Sequence, residues 1–359
     1  MDALGNVPDS INCHSCGAVL DLTGKTGFTH VECRHCGAPS VVPMKFGDFL
    51  LLSVIGTGGA GTVYKAIDVP LNRYLALKVL RANLASDPAV IARFSGEARA
   101  AATVNHPNIA QVYSFGEIDH RYYTAMELCD RGSLDARITQ SGHLSEPEAL
   151  SVGLQIASAL RAAHQHGVLH RDVKPGNILF NEDGIPKFVD FSLVGAPGSD
   201  PEDSQTPEAE QIWGTPYYVA PEKLRGKPDD ERSDIYSLGA TLFHALAGRP
   251  PEDPASSLAA EAPAAQRATI RIITRMLAQD PADRYGSYDE VIQDLMEARN
   301  SLKKPPGVTP FAASAQKRFA ALYVLGALIL CAGVVWFVWK YGVAVFQPAR
   351  PPVPVHAAP

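Results

Sequence analysis

The sequence predicts an α+β fold in which a smaller, strand-rich part precedes a larger helical part. Apolar alternation and β-branched or aromatic runs extend from Phe49 to Glu127. From Ser133 to Leu302 the apolar residues recur instead at helical spacing, most clearly over Glu146–His166, where Ser145 is suited to cap the helix. A chain of 359 residues with 46% hydrophobic content is sufficient to bury such a core.

Composition and charge narrow the class of protein. The net charge of −6 and the pI near 6.0 show no basic excess, so nucleic acid is not expected as a partner. The first residues lack the basic start and apolar run of a secretory signal, so export of the amino-terminal part is not expected. Four of the six cysteines lie within the first 36 residues, which argues against a disulfide framework spread over a secreted domain.

The first 43 residues contain two Cys-x-x-Cys knuckles separated by 16 residues, a spacing typical of a zinc ribbon. The four candidate Zn²⁺ ligands are Cys13, Cys16, Cys33 and Cys36. A pair of redox dithiols is the alternative, and His14, His30 and His35 are alternative ligands. Because four thiolates already complete a tetrahedral site, the sequence predicts a ribbon with cysteine ligands. Its role, as a scaffold, a partner-binding module or a sensor, stays open.

A glycine-rich turn follows the first predicted strand of the β-rich part. Its motif, Gly-x-Gly-x-x-Gly-x-Val, consists of Gly56, Gly58, Gly61 and Val63. Such a turn lets backbone amides approach phosphate groups, and a dinucleotide-binding turn has a similar formula. A dinucleotide-binding turn would lead into a helix, whereas Thr62–Ile67 is β-branched and aromatic and predicts a second strand. Lys78, alone in the next apolar strand, is either a solvent-facing lysine or a phosphate ligand.

The segment Val168–Leu179 places Asp172, Lys174 and Asn177 at short spacings between apolar ends. Phosphoryl transfer requires a carboxylate that accepts a hydroxyl proton, a cation that meets the phosphoryl charge, and oxygen ligands for Mg²⁺. His-Arg-Asp at 170–172, followed by four residues and Asn177, matches the catalytic loop of protein kinases.

Over about Phe49–Leu302 the chain therefore resembles the protein kinase superfamily, and Lys174-Pro175 is similar to the bacterial, eukaryotic-like (Hanks-type) serine/threonine branch. The resemblance implies a bilobal protein kinase fold over 44–302, with a small β-rich N-lobe and a larger helical C-lobe. It also implies ATP and Mg²⁺ or Mn²⁺ as cofactors and Ser/Thr residues of proteins as substrates in signal transduction.

The resemblance assigns roles to individual residues. Asp172 would orient the substrate hydroxyl, Lys174 would stabilise developing charge, and Asn177 and Asp190 would bind Mg²⁺. The nucleotide would be held by Ile55, Gly56, Gly58, Gly61, Val63, Ala76, Lys78, Glu97, Glu127, Cys129, Leu179 and Asp190, with Met126 at the back of its pocket. Glu97, in a helix expected over Pro88–Val104, would pair with Lys78, although a solvated surface pair with nearby arginines is the alternative.

Further residues would support the site. His170 is expected to be a structural hydrogen-bonding residue, Asp234 to brace the catalytic loop, and Thr215 to steady Asp172. Glu222 is expected to pair with Arg284.

The Pro-, Ser- and acid-rich segment 195–212 is expected to be a mobile activation loop. Ser204 and Thr206 are candidate autophosphorylation sites whose phosphate would pair with Arg171. The surrounding acidic residues already supply negative charge, which is the alternative. A homodimer in which one copy phosphorylates the other is a further expectation.

Two departures from the family pattern keep other functions open. Ser192 stands where the family has the glycine of Asp-Phe-Gly, and the segment after Pro251 is short. A non-catalytic, nucleotide-binding scaffold (a pseudokinase) is therefore the alternative function. A further alternative is a ribbon that binds nucleic acid or protein and is regulated by the kinase lobe.

The carboxyl-terminal part contains a candidate membrane span. Phe319–Trp339 comprises 21 residues without charge, which as a helix would extend about 31 Å, the thickness of a bilayer core. A buried soluble helix is the alternative. The sequence thus predicts a linker over 303–318, a transmembrane helix over 319–340 and a short Pro-rich extracytoplasmic tail over 341–359. Four basic residues before the span and two after it favour a single-pass protein of the inner or plasma membrane with a cytoplasmic kinase domain.

Overall fold

The computed structural model describes residues 6–13, 15–58, 61–190, 216–252 and 257–303. The chain divides into two compact units, Met1–Ser301 and Leu302–Pro359, and only residues 302–303 of the second unit are described. None of the helices within the described ranges is both long and apolar enough to cross a membrane. The predicted transmembrane helix over 319–340, with the tail and nearly all of the linker, lies outside these ranges.

The described strands and helices follow the predicted order, strand-rich first and helical afterwards. The strands are β1 (Ser10–Asn12), β2 (Val19–Asp21), β3 (His30–Glu32), β4 (Pro39–Val41), β5 (Met44–Phe46), β6 (Phe49–Thr57), β7 (Gly61–Asp68), β8 (Arg73–Leu80), β9 (Val112–Ile118), β10 (Arg121–Met126), β11 (Ile178–Phe180) and β12 (Pro186–Phe188). The helices are α1 (Pro88–Thr103), α2 (Leu134–Ser141), α3 (Glu146–Gln165), α4 (Pro221–Leu224), α5 (Glu231–Ala247), α6 (Leu258–Glu261), α7 (Arg267–Met276) and α8 (Tyr288–Lys303).

Residues 6–43, which we call the cysteine module, form two small antiparallel hairpins, β1–β2 and β3–β4. The two knuckles repeat the same backbone pattern: the N–H of Gly17 donates to the carbonyl of Cys13, and that of Gly37 to Cys33, both at 2.8 Å. Both glycines have φ above +70°, a conformation that glycine adopts without strain. The four cysteine sulfurs all lie within 4.8 Å of one another.

The first lobe is built on a six-stranded antiparallel sheet with the order β5-β6-β7-β8-β10-β9. One face carries a buried cluster that includes Phe46, Phe49, Leu75 and Leu77, all at most 7% exposed. Alternate residues of each strand point to opposite faces, and on the other face Lys78 lines a cavity together with residues of α1 and with Asp190.

The cysteine module is joined to this sheet by more than a covalent link. Lys45 of β5 forms a bridge with Asn6, and β5 itself is the first strand of the six. Phe28 stacks on Tyr64 of β7, with ring centroids 5.9 Å apart, and packs against the buried cluster of the sheet. The module and the β-rich lobe are therefore joined by one backbone bridge and by packed side chains.

The second lobe is organised around α5, which is buried over most of its length and packs against α3, α7 and the Pro216–Tyr218 turn. The α3 helix begins at Glu146 as predicted, and the N–H of Ser145 donates to Glu148 Oε2 at 3.2 Å in a capping box. The two-stranded β11–β12 sheet lies beside α3 and carries the catalytic-loop exit.

The predicted pair of Glu222 and Arg284 is confirmed. Two parallel hydrogen bonds, of 2.7 and 2.8 Å, join the guanidinium to the carboxylate, and the Arg284 side chain is fully buried. Burial opposes ionisation of Glu222, but the hydrogen bonds from Arg284 outweigh it and lower the pKa of Glu222. The pair fixes α4 against the turn that precedes α8.

Glu222→Gln should destabilise the protein by about 3 kcal/mol at neutral pH, because it leaves the buried Arg284 guanidinium without its counter-ion. The loss should diminish as the pH falls, since protonation of Glu222 removes the same interaction from the wild type. Urea unfolding of both proteins measures the difference. Glu290→Gln, which breaks an exposed ion pair with Arg275, is the control and should cost less than about 1 kcal/mol. Equal effects of the two variants would contradict the prediction.

Candidate active site

The glycine-rich turn connects β6 and β7 as a hairpin, with Gly56 opposite Val63. The chain continues from it as a strand, as the sequence predicted. Gly61 is required by packing, since a Cβ there would lie 2.5 Å from the carbonyl oxygen of Val79 on β8. At the hairpin tip, the Arg81 guanidinium donates a hydrogen bond to the carbonyl of Gly58. Arg81 thus fixes the Gly58 side of the hairpin tip. The sequence did not predict this contact.

Lys78 on β8 pairs with Asp190, with 2.6 Å between Nζ and Oδ1. The predicted ion pair of Lys78 with Glu97 is wrong for this structure, because among the described residues no carboxylate oxygen of Glu97 lies within 4 Å of Lys78. A single ammonium in this confined space pairs with the nearer carboxylate, and Glu97 lines the same cavity without a direct bond to it. Burial lowers the pKa of Lys78, but the charges of Asp190 and Glu97 outweigh it, so the pKa stays above its ordinary value.

Glu97→Gln should stabilise the protein progressively as the pH rises. Burial raises the pKa of Glu97 above its ordinary 4.5, and the charge of Lys78 only partly offsets this. The folded state therefore favours the neutral carboxyl, and wild-type stability falls as the pH rises from the unfolded-state pKa through the folded-state pKa. Urea midpoints of wild type and variant should diverge as the pH rises above the ordinary glutamate pKa of 4.5 and the buried carboxyl ionises. A difference between the two urea midpoints that stays constant as the pH rises would contradict the prediction. Glu182→Gln, at an exposed turn position, is the control.

Four of the residues assigned to the nucleotide pocket lie on one face of the six-stranded sheet. Val63 is directly opposite Lys78, and Ala76 is directly opposite Met126, so the four side chains point to the same side. Ile55 is 43% exposed beside the hairpin, as suits a residue at the mouth of a cleft. Leu179, on β11, is bridged to Ser133 just after the segment that connects the lobes.

That connecting segment, Glu127–Cys129, which we call the hinge, contains two of the residues predicted to hold the nucleotide. The N–H of Glu127 donates to the carbonyl of Gln111 at 2.8 Å, while its own carbonyl and the N–H of Cys129 make no backbone hydrogen bond to any described residue. These two groups are therefore available to a ligand. Burial, assisted by the charge of Glu127, raises the pKa of Cys129 to about 12, so this thiol is not a nucleophile at neutral pH.

The side chain of Glu127 turns away from the cleft towards β12. Lys187 Nζ lies 2.8 Å from both of its carboxylate oxygens, and the two side chains are 10% and 19% exposed. This buried ion pair connects the hinge to the strand that leads to Asp190.

In the catalytic loop, three polar side chains converge as predicted. Lys174 Nζ and Asn177 Nδ2 each donate to Asp172 Oδ2 at 2.8 Å. Asn177 also donates to the backbone carbonyl of Asp172, and its own carbonyl accepts the N–H of Val189 at 3.0 Å. Val189, the residue before Asp190, is thereby fixed to the catalytic loop, and the charges of Asp172 and Asp190 both act on the buried His170.

The predicted brace is confirmed. The Asp234 carboxylate accepts the backbone N–H groups of His170 and Arg171, both at 2.8 Å. His170 is fully buried, stacks against Phe188, and has a pKa lowered by burial, so its neutral imidazole is structural. Arg171 and Asp190 both have φ near +60°, a strained conformation that persists where surrounding contacts determine it.

Arg171, predicted to receive a loop phosphate, already has a partner in this structure. Its Nε lies 3.1 Å from Asp229, and Lys223 donates to its carbonyl at 3.0 Å. The candidate phosphosites Ser204 and Thr206 lie outside the described residues, as do Phe191, Ser192 and Thr215. The contact of Arg171 with a phosphate stays a prediction.

Comparison with known proteins identifies the family. Residues 49–300 match the protein kinase domain model. The chain belongs to the protein kinase family. It is 38% identical over 266 residues to the serine/threonine-protein kinase PrkC of Bacillus subtilis, and 37% identical over 254 residues to PknE of Mycobacterium tuberculosis. These alignments cover 70% and 67% of this chain but only 40% and 44% of the relatives.

The solved kinase structures agree with the fold. The crystal structure of the PknI kinase domain of Mycobacterium tuberculosis superimposes with a TM-score of 0.58 at 30% identity, covering 72% of this chain and 98% of that domain. The two-lobed kinase fold predicted from the motifs is therefore confirmed.

Three residues near the kinase cleft were missed by sequence reasoning: Arg81, Lys187 and Asp229. Lys187 had a detectable signal, because a lysine within a short apolar strand must either reach solvent or find a buried partner. Arg81 and Asp229 had none, since each contacts a residue distant in sequence through an ordinary surface-type side chain.

Proposed function

We propose that the chain is a serine/threonine protein kinase that transfers the γ-phosphoryl group of ATP to Ser/Thr hydroxyls of other proteins in signal transduction. The observation that most supports this is the junction of Asp172, Lys174 and Asn177, held next to the Lys78–Asp190 pair by the Val189–Asn177 hydrogen bond. The names of the relatives are consistent with the same activity.

The residues divide the work of an in-line transfer. Asp172 Oδ2 takes the hydrogen bonds from Lys174 and Asn177, so Oδ1 is the oxygen positioned to accept the proton of the substrate hydroxyl. As that proton leaves, the hydroxyl oxygen bonds to the γ-phosphorus and the bond to the β-phosphate oxygen breaks. Lys174 meets the charge that develops on the transferred group, and Lys78 holds the remaining phosphates.

The donor set fits a divalent ion. Asn177 Nδ2 is engaged with Asp172, which leaves Oδ1 as its free acceptor, and the Asp190 carboxylate is 47% exposed to the cleft. Carboxylate and amide oxygens are ligands that Mg²⁺ prefers, and Mn²⁺ accepts the same set. When bound, the ion would neutralise phosphate charge.

A transfer assay tests the proposal. The full chain, incubated with γ-labelled ATP, Mg²⁺ and a generic basic protein, should place label on serine and threonine. Nucleotide binding without transfer would favour the non-catalytic scaffold, for which none of the described residues provides support. Label confined to tyrosine would contradict the assigned substrate class.

For the cysteine module we propose a structural zinc ribbon. A tetrahedral site with Zn–S bonds of about 2.3 Å has sulfurs about 3.8 Å apart. Cys13 and Cys36, and likewise Cys16 and Cys33, have sulfurs 3.7 Å apart, much longer than a disulfide bond. The free thiols are therefore spaced for one Zn²⁺.

We further propose that the apolar run Phe319–Trp339 anchors the kinase in the inner or plasma membrane. Its length and the four-to-two excess of basic residues on the kinase side support a single span with the kinase in the cytoplasm. Membranes that retain the chain after an alkaline carbonate wash would agree; its full release into the wash would contradict the anchor.

A further inference from the structure

The ion pair between Glu127 and Lys187 is placed where the two lobes meet. Lys187 is the central residue of β12, all three residues of which are buried, and its ammonium is bidentate on the Glu127 carboxylate. Both side chains are far more buried than those of an ordinary surface ion pair. Removing either charge would leave the other one in a poorly solvated position, which is strongly unfavourable.

On one side, the pair is fixed to the hinge. Glu127 follows the last residue of β10, donates its N–H to the carbonyl of Gln111 at 2.8 Å, and accepts the N–H of Gln111 on Oε2 at 3.2 Å. The orientation of this carboxylate therefore determines where the Glu127 peptide lies, including its carbonyl, which makes no backbone hydrogen bond to a described residue.

On the other side, the pair is fixed to the metal-binding segment. Phe188, directly after Lys187, bonds to the backbone of Asn108 and Ala110 at 2.8 and 2.9 Å. Two residues further on is Asp190, whose carboxylate pairs with Lys78. Lys187 is thus three residues from the carboxylate proposed to bind Mg²⁺, and its ammonium contacts Glu127, which is predicted to help hold the nucleotide.

We propose that Lys187 is a positioning residue for the nucleotide. By holding Glu127, it sets the distance between the hinge peptide groups, which recognise the base, and Asp190, which faces the phosphates. Both ends of a bound nucleotide depend on this spacing. The protein substrate meets the catalytic loop instead, so its binding does not depend on this spacing. The inference rests on the proposed function only in so far as the cleft binds a nucleotide; it does not require transfer.

The test compares Lys187→Met with Lys187→Arg in the full chain. Direct titration with Mg·ADP should give a Kd about tenfold higher for Lys187→Met, whereas Lys187→Arg, which retains the charge, should stay within about threefold of wild type. In the transfer assay, KM for ATP should rise by a similar factor, while KM for the protein substrate and kcat should change less than about threefold. Arg161→Met is the control, since it breaks an exposed ion pair with Asp289 of α8 and should leave all values unchanged.

Two outcomes would overturn the proposal. The first is an unchanged Kd for Mg·ADP in folded Lys187→Met. The second is a fall of kcat together with the melting temperature, without a selective effect on nucleotide binding, because the pair would then be purely structural. If Lys187→Met does not fold, Glu127→Gln, which keeps the size of the side chain, is to show the same rise in Kd. Wild-type protein that binds Mg·ADP without transferring phosphate would remove the proposed function and leave this test valid.

Discussion

Asp172→Asn should reduce phosphoryl transfer about a thousandfold while changing nucleotide affinity by less than about twofold. The amide cannot accept the proton of the substrate hydroxyl. If the NH₂ group of the new amide takes the place of Oδ2, it also faces two other donors, the Lys174 ammonium and the Asn177 amide. Both of these donors need an acceptor at 2.8 Å. The nucleotide contacts proposed for the hinge and for Lys78 are on other elements, so binding should persist. Single-turnover transfer and Mg·ADP titration measure the two quantities separately.

Asp183→Asn is the matched control for this variant. Asp183 is an exposed aspartate in the β11–β12 turn, only eleven positions further along the chain, and its replacement should leave transfer unchanged. If Asp172→Asn retained more than about a tenth of the wild-type rate, the carboxylate would not be the proton acceptor, and the assignment of the catalytic loop would have to be revised.

Cys33→Ser should abolish stoichiometric zinc binding and unfold the cysteine module. A structural Zn²⁺ contributes about 10 kcal/mol or more to the folding of a small module, and three thiolates with a hydroxyl do not replace four thiolates. Because Phe28 of the module stacks on Tyr64 and β5 continues into the kinase sheet, the damage should extend to the smaller lobe. Elemental analysis should fall from one zinc per chain to none, and amide exchange should accelerate in β5 and β6.

Cys129→Ser provides the matching control, because Cys129 is also buried but lies in the hinge, far in sequence from the cluster. It should retain one zinc per chain and the wild-type exchange rates in β5. If zinc-free wild-type protein showed the same slow amide exchange in the cysteine module as the zinc-loaded form, the structural role of the metal would be refuted.

Much of the kinase core could be predicted because its motifs have fixed order and spacing. The buried Glu222–Arg284 pair and the contacts of Asp234 with the catalytic loop join residues more than sixty positions apart, yet both were expected from the motifs that contain them. Local physical chemistry was sufficient for others: the cap of α3 and the strand after the glycine hairpin follow from nearby residues alone.

Pairings chosen by geometry could not be predicted. Lys78 has two carboxylates around it, Asp190 and Glu97, and which one it bonds depends on the three-dimensional placement of the side chains, which a sequence does not contain. The same applies to Arg171, whose partner Asp229 is one of several acids in its neighbourhood. The junction of the cysteine module with the sheet was also missed, because β5 is only three residues long and has no distinctive pattern.

The position of β5 at the margin of the sheet has a consequence for any shortened form of the chain. A fragment that starts at Phe49, where the match to the kinase family begins, would lack β5 and uncover the backbone N–H and C=O groups of Phe49–Leu51 that pair with it. Such an uncovered row of groups is a template for pairing with a neighbouring molecule, and it invites aggregation. A fragment without β5 is therefore expected to be less soluble than one that begins at Met44.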